Sequence, residues 1–103
     1  MQVSVLYFKE CPNWALASQR LRQAMDAMGR PDTEITFVPA QTEAEAAAVG
    51  FAGSPTFMVD GIDLFGHRPG GGSLTCRVYV TPGGLAGVPT VDDLVRALRE
   101  ADR

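Results

Sequence analysis

Val3, Val5 and Tyr7 alternate with Ser4 and Leu6, and the run closes at Phe8. It is β-branched, aromatic and almost wholly apolar, which predicts a strand buried on both faces, as in a central position of a parallel sheet. The period then changes. Trp14, Ala17, Leu21, Met25 and Met28 recur on one face of a helix. Cys11 and Pro12 stand before it, with Pro12 expected at the first helical position, where proline is favoured. Gly29 and Pro31 should stop the helix.

Residues 34–38 predict a short second strand with Ile35 and Phe37 on one side. Thr42 and Glu45 form a capping-box pattern ahead of an alanine-rich helix that Gly50 should end. After the turn segment 51–55, Thr56, Phe57, Met58 and Val59 predict a third strand. Asp60-Gly61 is a strong hairpin signal, so Ile62, Leu64 and Phe65 supply a fourth. Segment 66–89 is rich in glycine and proline, with Gly70-Gly71-Gly72, Gly83-Gly84, Pro69, Pro82 and Pro89. It is expected as a long loop, of the kind that usually carries function or motion. The short apolar piece 77–80 lies inside it and is a competing choice for strand four. Thr90 and Asp93 cap a last helix whose buried face would be Val91, Leu94, Val95, Leu98 and Ala101. The order is β-α-β-α-β-β-α. A right-handed first crossover makes strands one and two parallel. The fold class is therefore α/β, a four-stranded mixed sheet flanked by helices.

Composition narrows the possibilities. A chain of 103 residues is expected to be a single domain spanning 1–103, large enough to bury a core without staples. The net charge is -3 and the nine basic residues are scattered, so no nucleic-acid partner is expected. No apolar run approaches the roughly 18 residues of a membrane span, and no basic region precedes an apolar one as in a signal peptide. A cytoplasmic protein without a membrane partner is the expectation. Two cysteines do not make a disulfide scaffold. With the single histidine, His67, they are too few for a closed zinc site, so no metal site is expected. The glycine triplet lacks the lysine and the strand-to-helix context of a phosphate loop, and no cofactor is expected.

Three features together resemble the small bacterial members of the thioredoxin-like superfamily. They are Cys11-Pro12 between the first strand and first helix, Ser54-Pro55-Thr56 just before the third strand, and the element order. The resemblance covers roughly residues 2–65 and 90–101. It implies a thiol-disulfide oxidoreductase fold, with Cys11 as nucleophile and Pro55 in the cis form facing it. Pro12, Trp14, Ser54 and Pro55 would line the site for a protein or low-molecular-weight disulfide. The sequence departs from the family at CPNW, where Trp14 replaces the second motif cysteine.

At a helix N-terminus the Cys11 sulfur would meet unpaired N–H groups and the positive end of the dipole, and the thiolate is the attacking form. The plainer reading makes Cys11 a small buried apolar residue. Trp14 could pack over the thiol or anchor the core, and Asn13 could add a donor. If residues 62–65 form strand four, Cys76 falls near the site and becomes a resolving cysteine outside the motif. If residues 77–80 form it, Cys76 begins at the far end and cannot reach. Three functions follow: a thiol-disulfide oxidoreductase, with Cys11 resolved by Cys76 or an external thiol; a redox-inactive binding module on the same fold; and a soft-metal or organomercurial-binding thiol protein.

Overall fold

The computed structural model describes residues 1–48, 53–66 and 77–102. Val3–Tyr7 forms β1, the second strand in a sheet of order β2-β1-β3-β4. Ile35–Pro39 (β2) lies parallel to β1, with Val3 opposite Ile35 and Leu6 opposite Val38. Thr56–Val59 (β3) runs antiparallel on the other side, with Val5 opposite Phe57. Ile62–Asp63 (β4) closes the sheet through Asp60-Gly61. Both turn residues have positive φ, 51° and 83°, as the tightest hairpin turn demands. The sheet is mixed and four-stranded, as the alternation predicts.

Residues that face each other across strands share a face, and this sorts the core. Val3, Val5, Phe57 and Val59 pack with Ala17, Leu21, Ala24 and Met25 of α1 (Trp14–Ala27), and with Leu94 and Leu98 of α3 (Val91–Ala101). Leu6 points the other way, to Ala46 of α2 (Glu43–Ala48), with Val38 and Met58 beside it. Helices therefore cover both faces. Two positions differ from the pattern: Phe37, on the edge strand, and Ala101 are both exposed.

The helix ends behave locally. Gly29, at φ 75°, follows the α1 C-cap. Its N–H bonds Asp26 O at 3.0 Å, and that of Arg30 bonds Met25 O at 2.9 Å, which is the paired closure of a glycine C-cap. Glu45 N–H donates to Thr42 Oγ1 at 3.1 Å. At α3 the capping box is complete, with Thr90 Oγ1 accepting from Asp93 N–H and Asp93 Oδ2 from Thr90 N–H.

The expected loop 66–89 is corrected in its second half. Tyr79–Thr81 (β5) and Gly84–Ala86 (β6) form a separate antiparallel hairpin. Pro82 sits at the corner and Gly84 takes φ 113°. The hairpin is tied to the core by Tyr79, which is buried against Phe57 and Phe65 at ring-centroid distances of 6.0 and 5.2 Å. Val88 and Pro89 are buried beyond it. Strand four of the main sheet is therefore the short Ile62–Asp63, and piece 77–80 is not part of that sheet. Leu64 N–H still reaches Phe57 O at 2.8 Å. Asp63 Oδ1 then accepts from Phe65 N–H at 3.0 Å and turns the chain out of the ladder. His67, the triplet Gly70-Gly71-Gly72 and Cys76, like Gly50, lie outside the described residues.

Candidate functional site

After β1 the chain makes a turn in which Cys11 N–H donates to Phe8 O at 3.1 Å. This folds Cys11 back toward the residues that lead into β3. Phe8 N–H donates to Ser54 Oγ at 3.3 Å, and the Cys11 thiol donates to Ser54 O at 3.6 Å. The Ser54–Pro55 peptide is cis. Cys11, Ser54 and Pro55, which are 43 and 44 positions apart in the chain, are thus brought together. All three are buried, Cys11 and Ser54 with no exposed surface.

The position relative to α1 differs from expectation. The helix begins at Trp14, and Asn13 is its N-cap, in a helical conformation with no side-chain cap bond. The first intrahelical bond runs from Ala17 N–H to Asn13 O at 3.0 Å. Pro12 is exposed in the preceding turn rather than at the first helical position, and Cys11 lies two residues before the N-cap. Asn13 lies against Gly87, where a Cβ would overlap its side-chain amide. Trp14 is half-buried and stacks on Tyr7, with centroids 4.7 Å apart at 23°.

Three further residues complete the site, of which sequence reasoning offered Arg77 and Tyr79 only as a possible substrate surface and gave Asp63 no part. Arg77 N–H donates to Ser54 O at 2.9 Å, so that carbonyl accepts from both Arg77 and Cys11. The Arg77 guanidinium pairs with Asp63 Oδ2 at 2.8 Å, both side chains being nearly excluded from solvent. It also donates to Gly66 O at 3.1 Å and lies over the Tyr79 ring at 4.8 Å. The Tyr79 hydroxyl donates to Pro55 O. Burial pushes the Tyr79 phenol well above its ordinary value, partly offset by the Arg77 charge, while Asp63 adds to the rise. Asp63 reads in sequence as a turn residue only. Arg77 and Tyr79 read in sequence as residues that could line a substrate surface, with no local signal of their partners.

Other features do not compete with this site. A cavity of about 320 Å³ lies between the β3–β4 turn and α3, lined by Asp60, Asp63 and Glu100 among others. Two of these carboxylates already have partners, Asp60 accepting from Gln2 N–H and Asp63 from Arg77. Among the described residues no group of three His, Cys, Asp or Glu could hold a metal ion, and no helix is long and apolar enough to cross a membrane. Compared with known protein families, characterised proteins and solved structures, the chain matches none.

Proposed function

We propose that this is a thioredoxin-like thiol protein in which Cys11 exchanges with disulfides. The observation that carries the reading is the Cys11 sulfur, 3.6 Å from the carbonyl of Ser54, the residue before Pro55. A substrate disulfide would be attacked by the Cys11 thiolate. The sulfur–sulfur bond of the substrate breaks, a mixed disulfide forms on Cys11, and one substrate sulfur leaves as thiolate. A second thiol resolves it. If that thiol is Cys76, the substrate leaves fully reduced and the protein keeps the disulfide. If it is an external low-molecular-weight thiol, Cys11 is returned and the new disulfide leaves. Cys76 has support as the partner because Arg77, the next residue, is bonded to the same Ser54 carbonyl.

A second reading has its own observation. Cys11 has no solvent-accessible surface, as suits a binding module whose cysteine is structural. Intact mass after incubation with glutathione disulfide separates the two. The exchange reading expects a glutathione adduct on Cys11 in Cys76→Ser, and an internal disulfide or the same adduct in the unmodified chain. If the folded protein takes neither, and Cys11→Ser leaves its mass behaviour unchanged, the binding module stands and exchange is abandoned.

A further inference from the structure

We infer that segment 77–79 is an internal strap over the peptide edge beside Cys11, and that Cys11 becomes reactive only when this strap undocks. The inference rests on the exchange reading and adds its regulation. The segment alternates as an extended chain does: Arg77 and Tyr79 face inward, while Val78 is more than half exposed. Its two inward residues take up the backbone acceptors next to the thiol. Arg77 N–H holds Ser54 O at 2.9 Å and the Tyr79 hydroxyl holds Pro55 O. Gly53 makes room for it. A Cβ at Gly53 would come within 2.9 Å of Arg77 Cβ and 3.1 Å of its Cα, closer than side chains tolerate. An extended peptide laid along residues 53–55 would need the same acceptors and the same space.

The lock is the Arg77 side chain. Its guanidinium is held by Asp63 and Gly66 O and lies over Tyr79. A buried ion pair resists separation because either charge alone is costly to leave in the interior. Undocking must break this pair, the Ser54 bond and the Pro55 bond together. Local openings of this kind expose particular groups without unfolding the domain.

The test compares three sites in the full chain: Cys11 alkylation by iodoacetamide, resolved by peptide mapping, and hydrogen exchange at the Arg77 and Leu21 amides. Leu21 lies in the buried face of α1 and reports global opening. In the unmodified protein, Cys11 and the Arg77 amide should show the same protection, and less than Leu21. Asp63→Asn keeps the acceptor for Phe65 N–H and removes the charge. Tyr79→Phe keeps the ring and removes the bond to Pro55. Each should speed Cys11 alkylation at least about tenfold, close to 1.4 kcal/mol of opening free energy, with Arg77 exchange rising by the same factor. The strap is overturned if Cys11 protection equals that of Leu21, if Cys11 reacts freely while Arg77 stays protected, or if either variant loosens Arg77 without changing Cys11. Glutathione disulfide then separates the two claims. Matched protection with no adduct on the opened Asp63→Asn protein sinks exchange alone, and adduct formation with mismatched protection sinks the strap alone.

Discussion

Ser54 joins three residues beside the thiol. Its hydroxyl oxygen accepts from Phe8 N–H, and its carbonyl accepts from Cys11 and Arg77. The Ser54 side chain is fully buried. Ser54→Ala leaves the Phe8 N–H without its acceptor, at a cost of about 1–3 kcal/mol. The urea midpoint should fall with an unchanged slope. Asp63 and Arg77 obey a harsher rule. Arg77→Met strands a buried carboxylate and should cost about 3–5 kcal/mol, whereas adding Asp63→Asn should recover part of that loss. A double-mutant cycle in urea measures the recovery, and strictly additive losses would show that the pair does not couple.

Among the elements, those whose signals are local were legible. The α3 cap was readable because Thr90 and Asp93 are three residues apart and satisfy each other's N–H groups. Thr90→Ala should cost about 0.5–2 kcal/mol. Gly29 was readable as a helix stop for a similar reason. At φ 75° with nothing within 4 Å of an added Cβ, Gly29→Ala meets no clash, and its cost of about 1–2 kcal/mol is wholly backbone. Thermal unfolding of the two variants checks both values. The β1 alternation and the Asp60-Gly61 turn belong to the same class. The β5–β6 hairpin was not legible as an element, because the glycines around it mask two three-residue strands, although Tyr79, Val80 and Thr81 before Pro82 were a usable strand-and-turn signal. The candidate site was half legible. Cys11 and Pro55 stand out by residue type, but the burial of Cys11 depends on a turn that docks it on Ser54, 43 positions away. The Arg77–Asp63 pair, 14 positions apart, has no periodicity to announce it.

At the scale of the whole molecule, Tyr79 joins three parts: the hairpin that carries it, the aromatic core of Phe57 and Phe65, and the site at Pro55. That placement makes stability depend on one phenolic proton. Burial holds the proton in the folded protein far beyond the ordinary value of 10.0, with Arg77 pulling the other way and Asp63 adding to the rise. The unfolded chain releases it near its ordinary value, so above about pH 10 the unfolded state binds fewer protons and stability falls as pH rises. Below that value the contribution is fully present. The slope from this group approaches, at most, about 1.4 kcal/mol per pH unit. Tyr79→Phe is expected to be less stable than the parent at neutral pH, because Pro55 O loses its donor. It should also lose stability less steeply on the alkaline side, so that the two curves converge. Urea midpoints measured through the alkaline range test this directly. Parallel curves would mean that the phenol is not held protonated against the sheet, and that the hairpin is joined to the core by ring packing alone.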